Sequence, residues 1–465
     1  MKCLLPFLAL LVAVSYVQAD YRVVCYYGSW AVYRPGDGKF DVENIDPTLC
    51  SHLVYTFVGI GSDGSVTILD SWNEIDKGAL KRFNDLRKLS PTSKTMVAIG
   101  GWNAGSATFS QVVNSDSLRA NFVTSIVNFV KQYGFDGFDL DWEYPTQRGG
   151  APGDKAAFAK LLSELRPQFD ANGFILSAAV SAGEPTVDAA YDVPALAKYL
   201  DFINVMTYDL HGSWETVTGE NAPLYPGSTD TTESARTLNV DTAIKYWISQ
   251  GAPASKLNLG MGTYGRSFTL ASTSNTGVGA PTTGPGQAGP YTREGGTLGY
   301  NEICVNNWPE TWNEEQQVPY AVSGNQWVGY DNVKSITIKS QYVKDHGLGG
   351  AMIWSVETDD FLGKCGQGRN PLLSAINAVL TGKTSGTDPT STSKPGEDTT
   401  TTQATAPPSG VCTTTGYVRD PNNCQIFYYC QVVNGQYQAS QYTCADGTYF
   451  DPSIDACNFA DLVQC

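Results

Sequence analysis

The chain has 465 residues, of which 42% are hydrophobic, and a formal net charge of −16 from 30 basic and 46 acidic residues. This length is too great for one ordinary hydrophobic core, so we expect more than one folded unit. Nucleic acid and anionic membrane surfaces would repel such an acidic chain, which argues against both as partners. A neutral ligand is compatible with this charge.

The first 19 residues predict a secretory signal peptide. Lys2 precedes an apolar run over 4–17, and the segment ends in Val17-Gln18-Ala19, with small residues where signal peptidase cleaves. A retained anchor is the alternative, but the apolar run is too short to span a bilayer and no later stretch is long enough. We therefore expect a secreted, extracellular protein that begins at Asp20.

Ten cysteines remain once Cys3 leaves with the signal peptide, and their distribution divides the chain. An even number in an oxidising compartment predicts five disulfides. Spread cysteines are typical of staples on a large domain, whereas crowded ones support a small domain. The spread set is Cys25, Cys50, Cys304 and Cys365, and the crowded set is Cys412, Cys424, Cys430, Cys444, Cys457 and Cys465.

Residues 381–410 predict a linker. They contain ten Thr and no aromatic residue, Leu, Ile or Val, so they cannot bury enough apolar surface to offset their chain entropy. Such a Thr-rich segment is compatible with O-glycosylation. The chain then divides into a signal peptide over 1–19, a large domain over 20–380, the linker over 381–410 and a C-terminal module over 411–465.

Eight short apolar runs alternate with helix-like segments in the large domain. Strands that alternate with helices predict a parallel sheet, and strands that are apolar throughout favour a closed (β/α)8 TIM barrel over an open sheet. Residues from about 269 to 330 are rich in Gly, Thr and Pro and predict an inserted α+β subdomain after the seventh strand. The apolar runs are 23–27, 52–59, 95–101, 135–142, 174–180, 202–208, 257–264 and 350–356. Helical periods occur at 76–89, 117–133, 154–169, 240–250 and 332–346.

The fourth apolar run carries a row of acids. It reads Asp136-Gly-Phe-Asp139-Leu-Asp141-Trp-Glu143, and alternate residues of a strand share one face. A solvated edge strand would explain three acids in line, but a barrel strand has no edge. We therefore expect Asp139, Asp141 and Glu143 to face the barrel lumen near its C-terminal mouth, where barrel enzymes keep their active sites.

Neighbouring carboxylates raise at least one pKa, which prepares a carboxylic acid that donates a proton near neutral pH. Glu143 is the outermost acid and is best placed to reach a substrate. Acids on one strand approach a sugar from one side, so they cannot flank a glycosidic bond as an acid and a nucleophile do. The nucleophile would then come from another strand, with Asp209 and Glu357 as candidates, or from an N-acetyl oxygen of the substrate.

The segment FDGFDLDWEY resembles the DxxDxDxE signature of glycoside hydrolase family 18. Other segments resemble the animal chitinases of that family, over roughly 21–380 and in the same order; Gly262 stands where relatives usually have proline. These segments are YYGSW at 26–30, GGW at 100–102, MTYDLHGSWE at 206–215, YGRSF at 264–268 and GAMIW at 350–354. The resemblance implies an endochitinase that hydrolyses β-1,4-linked N-acetylglucosamine polymers with retention, by substrate-assisted catalysis.

The resemblance also implies roles for four residues of the site. Glu143 would be the acid/base, and Asp141 would hold the acetamido nitrogen while Asp139 shares its proton. Tyr208 would orient the acetamido carbonyl for attack, which gives an oxazolinium-like intermediate without a covalent enzyme adduct. Non-proline cis peptide bonds are implied at Thr56–Phe57, Glu143–Tyr144 and Trp354–Ser355.

Four tryptophans at predicted strand ends, or in the loops after them, indicate sugar stacking. Core packing is the usual explanation for any one tryptophan, but four at barrel-mouth positions favour a binding cleft. These four are Trp30, Trp102, Trp214 and Trp354. By resemblance Trp354 would form the floor under the cleaved sugar, Asp209 would contact the sugar, and the cleft would be lined by Tyr26, Phe57, Met206, Tyr264, Arg266 and Met352.

Neither a metal ion nor a cofactor is expected. The three histidines, His52, His211 and His346, form no cluster with metal-ligand spacing. A catalytic triad is equally unsupported, since the chain contains no Gly-x-Ser-x-Gly elbow.

The C-terminal cysteines follow the spacing C-x11-C-x5-C-x13-C-x12-C-x7-C. The cysteine count alone allows any small disulfide-rich domain, but the spacing and the segments CQIFYYC and GTYFDPSIDACNF resemble the peritrophin-A type chitin-binding module, family 14. This resemblance implies a small β-structured module with the pairs Cys412–Cys430, Cys424–Cys465 and Cys444–Cys457. In the barrel the family resemblance implies Cys25–Cys50 and Cys304–Cys365.

Three functions remain possible at this point: an active endochitinase, a chitin-binding lectin on the same barrel, and an endoglycosidase acting on N-glycans. The lectin requires loss of the acid, whereas Glu143, Asp141 and Tyr208 are all present. The C-terminal module and the barrel insertion, which would wall a long groove, both favour a polymer. Chitin and chito-oligosaccharides are therefore the expected partners of a monomeric protein.

Overall fold

A computed structural model describes residues 21–383, 412, 416–433, 436–444, 448–452, 456–459 and 463. The predicted signal peptide over 1–19 lies outside the described residues, as does the predicted linker from 384 onward. The chain divides into two compact units, Met1–Pro389 and Thr390–Cys465, and each is considered by itself. Among the described helices, none is both long enough and apolar enough to cross a bilayer.

The strands of the described residues are short, and most belong to the first unit. In chain order they are β1 (Arg22–Gly28), β2 (His52–Ile60), β3 (Val66–Thr67), β4 (Lys94–Gly100), β5 (Gly137–Asp141), β6 (Ile175–Ser181), β7 (Phe202–Met206), β8 (Leu257–Gly262), β9 (Tyr264–Leu270), β10 (Thr282–Pro285), β11 (Thr297–Gly299), β12 (Glu310–Asn313), β13 (Val318–Ser323), β14 (Gln326–Gly329), β15 (Gly350–Trp354), β16 (Gly416–Arg419), β17 (Ile426–Val433), β18 (Gln436–Thr443), β19 (Thr448–Asp451) and β20 (Ala456–Phe459).

The described α-helices all lie in the first unit and alternate with its parallel strands. They are α1 (Ala79–Asp85), α2 (Ala107–Val113), α3 (Asp116–Tyr133), α4 (Asp154–Asn172), α5 (Glu184–Ala190), α6 (Val193–Tyr199), α7 (Glu233–Arg236), α8 (Val240–Ser249), α9 (Tyr300–Ile303), α10 (Val333–Asp345) and α11 (Pro371–Leu380). The helical periods predicted from the sequence correspond to α1, α3, α4, α8 and α10. The first is shorter than predicted because Trp72–Asp76 forms a π-helical turn before it and Leu86–Lys88 a 3-10 turn after it.

Eight parallel strands close into a barrel, which confirms the predicted TIM fold. Their order around the barrel is β1-β15-β8-β7-β6-β5-β4-β2, and β2 pairs with β1 to close it. Most positions of these strands are buried because one face fills the lumen and the other packs against the helices. In β1, for example, Val24 and Tyr26 belong to the lumen cluster, whereas Val23 and Tyr27 belong to the outer core.

Local signals at the ends of α3 show why this helix has its observed bounds. The side chain of Ser115 accepts a hydrogen bond from the Leu118 backbone N–H at the first turn, which satisfies one of the free donors there. Gly134 follows the last turn with φ of +77°, a left-handed conformation that glycine adopts without strain. The helix therefore begins and ends where its sequence provides capping residues.

The insertion after the seventh barrel strand is an antiparallel sheet with one short helix, α9. Its strand order is β10-β9-β14-β13-β12, and β11 pairs with β9 on the side. The sheet begins at Tyr264, earlier than the predicted start near 269, because Thr263 alone separates β8 from β9. The apolar run over 257–264 concealed this boundary, since its periodicity continues across Thr263.

The second unit contains the antiparallel sheet β16-β17-β18 and the hairpin β19-β20. Tyr428 on β17 is 3% exposed, and its hydroxyl donates a hydrogen bond of 2.8 Å to Asp420 Oδ2. The ring of Phe427 stacks on Phe450 with centroids 4.4 Å apart. Consecutive residues of β17 thus make different contacts inside a small β-structured module.

Disulfides link Cys25 to Cys50, Cys304 to Cys365 and Cys412 to Cys430, the same pairs that the family resemblance implies. The second joins the end of the inserted α9 to the segment that follows β15. Cys424 and Cys444 are also disulfide-bonded. Their implied pairings, Cys424–Cys465 and Cys444–Cys457, each involve a residue or side chain outside the described part of the chain.

Candidate active site

The predicted acids lie on strand β5 or just after it, and they face the barrel lumen. Asp139 and Asp141 lie on β5 and are 0% and 3% exposed, while Glu143 lies just beyond the end of the strand and is partly exposed. Trp142 between them points the other way, and its ring stacks on Phe109 with centroids 5.3 Å apart. Strand alternation therefore places three carboxyl groups on one side, in order of increasing access.

Asp139 is the deepest of the three acids, and both of its oxygens accept hydrogen bonds. Tyr26 Oη on β1 donates to Oδ2 over 2.8 Å, and Ser177 Oγ on β6 donates to Oδ1. Burial raises the pKa of Asp139 to about 6, and the two hydrogen bonds oppose this rise because they favour the ionised form. Asp139 is therefore mostly a carboxylate at pH 7 despite its complete burial.

Asp141 has a different environment from Asp139. Its Oδ1 is buried and has no hydrogen-bond partner among the described residues. Burial raises the pKa of Asp141 well above its ordinary value, and the charges of Glu143 and Asp139 raise it further. The environment of Asp141 therefore favours its neutral, protonated form.

Glu143 has the pKa of a general acid. Burial raises the pKa of Glu143 to about 7, a hydrogen bond from Tyr144 lowers it, and the negative charge of Asp209 raises it again. A carboxyl group with a pKa near the working pH can donate a proton and later accept one.

The predicted cis peptide bonds are confirmed at Thr56–Phe57, Glu143–Tyr144 and Trp354–Ser355.

Tyr208, just after the end of β7, brings a neutral hydroxyl to the same space. Burial raises the pKa of Tyr208 well above its ordinary value, and the nearby charges of Asp141 and Glu143 add to the rise. Its Oη donates to the sulfur of Met352 over 3.6 Å, and its ring packs edge-on against Tyr264 with centroids 6.0 Å apart. Tyr208 can therefore turn a hydroxyl donor toward a ligand beside the acid row.

Asp209 is held in an ion pair and hydrogen bonds of its own. Its Oδ1 accepts hydrogen bonds from Tyr264 Oη over 2.6 Å and from Arg266 Nε over 2.7 Å. Its backbone N–H donates to Asn221 Oδ1 over 3.0 Å. The guanidinium group of Arg266 also lies 5.4 Å from the centroid of the Trp214 ring. These contacts fix Asp209 as part of a polar wall.

Glu357, the other candidate nucleophile, is 0% exposed and fully engaged. It accepts hydrogen bonds from the Gly28 backbone N–H over 3.1 Å and from Ser355 Oγ over 2.6 Å. Its Oε1 also lies 3.8 Å from Arg34 Nη2. Both oxygens of Glu357 and Oδ1 of Asp209 are therefore already engaged by neighbouring donors, which makes both residues poor candidates for a nucleophile.

Aromatic rings form the floor at one end of the barrel mouth. Trp354 stacks on Phe57 with centroids 5.8 Å apart, and Phe57 stacks on Trp30 with centroids 6.1 Å apart. Tyr26 lies beneath, with its ring centroid 5.7 Å from that of Trp354. These predicted residues therefore lie together, and the 42% exposed ring of Trp30 extends the floor to solvent.

Trp102 and Trp214 occupy other parts of the mouth and are 58% and 60% exposed. The guanidinium of Arg148 lies 3.5 Å from the ring centroid of Trp102, and Arg148 also donates to the Glu143 backbone oxygen over 3.0 Å. Met206 packs against the lumen cluster at the end of β7. Trp102 is thus linked through one side chain to the segment of the outermost acid.

The sequence interpretation missed two kinds of residue near the site. Tyr33 and Trp72 are 57% and 49% exposed with ring centroids 6.0 Å apart, and Tyr33 Oη donates to Asp70 Oδ2 over 2.5 Å. Tyr33 lies only three residues after Trp30, which was the available signal. Ser177 was also missed, because a single polar residue in an apolar run does not reveal its partner across the lumen.

A grouping of possible metal ligands occurs in the described residues at Cys304, Asp360 and Cys365. The two cysteines form a disulfide with each other, so they have no thiolate to offer a metal ion. The carboxylate of Asp360 accepts backbone N–H groups of Lys364 and Cys365. This grouping therefore has a structural explanation.

Comparison with known proteins agrees with this geometry. Residues 22–359 match the glycosyl hydrolases family 18, and residues 412–465 match the chitin binding Peritrophin-A domain. The chain belongs to glycosyl hydrolase family 18 and carries a C-terminal Peritrophin-A module. It is 40% identical over 401 residues to an endochitinase of Manduca sexta, covering 83% of this chain and 72% of the relative.

Two solved structures of similar proteins differ in the activity that is described for them. The Group IV chitinase of Ostrinia furnacalis in complex with allosamidin is 46% identical, with a TM-score of 0.77 over 78% of this chain and 99% of its own. Human YKL-39, described as a pseudo-chitinase with retained chitooligosaccharide binding, is 44% identical, with a TM-score of 0.73 over 77% of this chain and 99% of its own. Fold similarity alone therefore does not decide between hydrolysis and binding.

Proposed function

We propose that this protein is a secreted, monomeric endochitinase that hydrolyses β-1,4-linked N-acetylglucosamine polymers with retention of configuration. The observation that carries the proposal is the single-sided acid row: Glu143 with a pKa of about 7 lies beside Asp141, whose pKa burial raises, while Asp209 and Glu357 both accept hydrogen bonds from neighbouring residues. A retaining glycosidase needs a nucleophile opposite its acid. The acetamido oxygen of the substrate supplies one where no protein carboxylate does.

The reaction follows from these positions. Glu143 donates its proton to the glycosidic oxygen while the acetamido carbonyl oxygen attacks the anomeric carbon, so the leaving sugar departs and an oxazolinium ion forms. Asp141 supports the acetamido nitrogen, and Tyr208 donates a hydrogen bond that orients the carbonyl. The ionised Glu143 then takes a proton from water, which attacks the anomeric carbon from the original side and restores the β configuration.

The shape of the mouth favours a polymer over a short glycan. Exposed rings continue from the floor at Trp354 through Trp30, and further exposed rings occur at Tyr33, Trp72, Trp102 and Trp214. Aromatic faces bind the apolar faces of sugar rings at small entropic cost. So many exposed rings on one molecule fit a long β-1,4-linked chain better than a branched N-glycan.

Secretion is supported by the N-terminal sequence and by the disulfides, which persist in oxidising compartments. The net charge of −16 argues against nucleic acid and anionic membranes as partners. The active form is proposed to be a monomer because the barrel closes on itself and the acid row and Tyr208 come from one chain.

The deciding experiment compares two hexamers, one of N-acetylglucosamine and one of glucose, both β-1,4-linked. We expect shorter products from the first, formed initially as β-anomers by proton NMR, and none from the second, which has no acetamido group. Equal cleavage of the glucose hexamer would contradict substrate assistance. Binding of the N-acetylglucosamine hexamer without cleavage would show a lectin, and initial α-anomers would show inversion.

We propose that the C-terminal module holds the enzyme on insoluble chitin. A tethered binding module converts the encounter of the barrel with a fibre into a local event at a high effective concentration. Truncation after Leu380, the end of α11, removes the module and leaves the barrel core intact. We expect unchanged turnover of soluble oligomers and weaker attack on insoluble chitin at equal molarity. An equal loss on both substrates would instead mean that the module stabilises the barrel.

A further inference from the structure

A line of hydrogen bonds runs through the barrel from its N-terminal end to the deepest acid. Arg22 Nε donates to Asn258 Oδ1 over 3.0 Å, and Asn258 Nδ2 donates to Asn204 Oδ1 over 2.8 Å. Asn204 Nδ2 then donates to Tyr26 Oη over 2.9 Å, and Tyr26 donates to Asp139 over 2.8 Å. We call these five residues the polar ladder.

The polar ladder joins strands that are neighbours in the barrel. Asn204 on β7 is the register partner of Asn258 on β8, and both are 0% exposed. Arg22 begins β1, so its charged group enters from the N-terminal end of the barrel. Buried amides are costly unless their donors and acceptors are satisfied. Two of them in succession below the acid row therefore call for an explanation.

Arg22 fixes the direction of every bond in the polar ladder. Arginine can only donate hydrogen bonds, so Asn258 must turn its oxygen toward Arg22 and its NH2 group toward Asn204. Asn204 must in turn present its oxygen to Asn258 and its NH2 group to Tyr26. The amide orientations, which coordinates alone leave ambiguous, thus follow from the chemistry of Arg22. Burial lowers the pKa of Arg22 only to about 10, so it remains charged at neutral pH.

This direction determines where the single hydroxyl proton of Tyr26 lies. Because Tyr26 Oη accepts the hydrogen bond from Asn204, its own proton is directed at Asp139 Oδ2. Ser177 donates to the other oxygen. We propose that Asn204, Asn258 and Arg22 are positioning residues that keep the Tyr26 hydroxyl proton directed at Asp139 Oδ2 and so maintain Asp139 as the carboxylate that leaves the shared proton on Asp141. This inference rests on the proposed function and assigns residues that touch neither substrate nor Glu143.

Few titratable groups face Asp139. Tyr26 faces it from β1, and Asp141 neighbours it on β5. Tyr208 beyond β7 acts on Tyr26, and Glu143 acts on Asp141. The flanking strands place Ala98 of β4 and Ser177 of β6 beside Asp139, and neither side chain titrates. A changed titration of Asp139 after substitution in the polar ladder therefore has to pass through Tyr26.

The expected consequence is a shift in the acid limb of the pH profile. Catalysis uses an Asp139–Asp141 pair that holds one proton, and the hydrogen bond from Tyr26 keeps the second proton off Asp139. In Asn204→Leu the side chain can neither accept a hydrogen bond from Asn258 nor donate one to Tyr26. The Tyr26 hydroxyl can then rotate away from Asp139. The pair then binds its second proton at higher pH, so activity is lost sooner as the pH falls. We expect an upward shift of about one pH unit, the size that loss of one hydrogen bond to a carboxylate produces.

The test measures kcat and KM for a soluble chito-oligosaccharide against pH in Asn204→Leu and in Asn84→Leu. Asn84 is a matched control because it is also a buried asparagine, whose NH2 group donates to the backbone oxygens of Leu80 and Tyr133 and whose oxygen accepts from Thr95, away from the polar ladder. Both variants lose stability, but only Asn204→Leu should move the acid limb of kcat, with KM unchanged. An acid limb that stays with that of the wild type overturns the proposal.

A second pair of variants tests Arg22, the charged end of the polar ladder, and leaves Asn204 and Asn258 unchanged. Arg22 is partly exposed at the end of the barrel, so Arg22→Met and Arg22→Lys should both fold. Lysine is also a donor-only residue, so Arg22→Lys should retain the wild-type profile while Arg22→Met moves in the direction of Asn204→Leu. Identical profiles for the two variants would contradict the role of Arg22. This pair also decides the question should Asn204→Leu fail to fold.

Failure of the proposed function gives a different result. If the wild-type protein cleaves no chito-oligosaccharide, the proposed function is wrong. The effect of the polar ladder on Asp139 is then measured by a carbon-13 NMR titration of the Asp139 carboxyl group, whose signal is assigned with Asp139→Asn. In Asn204→Leu this carboxyl should titrate about one pH unit higher than in the wild type. Equal titration in both would overturn the inference independently of activity.

Discussion

The acids of β5 are buried, whereas the tryptophans of the barrel mouth are exposed to solvent, and each group needs its own environment to function. Asp139 and Asp141 are 0% and 3% exposed, whereas Trp102 and Trp214 are 58% and 60% exposed. Burial is what raises the pKa values of the acids, so their chemistry depends on exclusion from water. The tryptophans instead need an open ring face. The comparison predicts that the acids control kcat and the tryptophans control KM.

The largest effect on kcat is expected at Glu143. Glu143→Gln keeps the shape of the side chain but has no proton to transfer, so kcat should fall at least about 10³-fold while oligosaccharide binding remains. Steady-state turnover and isothermal titration calorimetry of the same variant measure the two quantities. Turnover above a few per cent of the wild-type value would contradict the assignment of Glu143 as the acid.

The next largest effects are expected at the residues that hold the acetamido group. Asp141→Asn and Tyr208→Phe should each lower kcat by about 10²-fold, because each removes a group that stabilises the transition state more than the bound substrate. Their KM values should change much less than their kcat values. If KM rose a hundredfold at unchanged kcat, these two residues would belong with the tryptophans as binding residues.

Stability should move in the opposite direction from activity at Glu143. Burial raises the pKa of Glu143 from an ordinary value of 4.5 to about 7 in the folded protein. A raised pKa means that the folded state prefers the neutral acid, so its contribution to stability is full below pH 4.5 and is lost as the pH rises through about 7. Glutamine cannot ionise. Glu143→Gln should therefore be more stable than the wild type by about 3 kcal/mol at pH 8.

Denaturant unfolding at two pH values checks this prediction. At pH 8 the free energy of unfolding of Glu143→Gln should exceed that of the wild type, and at pH 4 the two should agree because Glu143 is then neutral in both the folded and unfolded states. A variant equally stabilised at both pH values would attribute the gain to packing. An absence of stabilisation at pH 8 would mean that ionised Glu143 is well solvated in the folded protein.

The acid row could be predicted because strand periodicity determines it locally. The spacing of Asp139, Asp141 and Glu143 places them on one face, and a closed barrel leaves the lumen as their only location. The partners of Asp139 could not be predicted in this way. Ser177, which donates to Asp139, and Asn204, which donates to Tyr26, are isolated polar residues in apolar runs, and their contacts depend on how the strands are arranged around the barrel.

The aromatic residues could be predicted only where a strand end identifies them. Trp30 and Trp354 adjoin predicted strands, but Trp72 lies in a π-helical turn outside all eight apolar runs. Its proximity to Tyr33 arises from tertiary packing. The start of the inserted sheet at Tyr264 was missed for a similar reason, since a local pattern cannot show that the chain leaves one sheet for another.

The smallest expected effects concern the exposed tryptophans, where the comparison can be sharpened with a matched control. Trp102 and Trp214 each lie under a guanidinium group, of Arg148 and Arg266 respectively. Trp312 on the inserted sheet likewise has Lys334 over its ring, 3.6 Å from the centroid. All three therefore lose a cation–π contact when truncated to alanine. Only the first two lie in loops at the ends of barrel strands.

We expect Trp102→Ala and Trp214→Ala to raise KM for chito-oligosaccharides about three- to tenfold, the value of one aromatic stacking contact, with kcat nearly unchanged. Trp312→Ala should leave KM at the wild-type value, because Trp312 lies on β12, the edge strand of the inserted sheet, and not in a loop that follows a barrel strand. Michaelis–Menten measurements on oligomers of increasing length would separate the two mouth positions, since a ring distant from the acid row affects only chains long enough to reach it. A fall in kcat as large as that of Asp141→Asn would mean that the tryptophans act on the reacting sugar itself, and the distinction between buried acids for chemistry and open rings for binding would then be wrong.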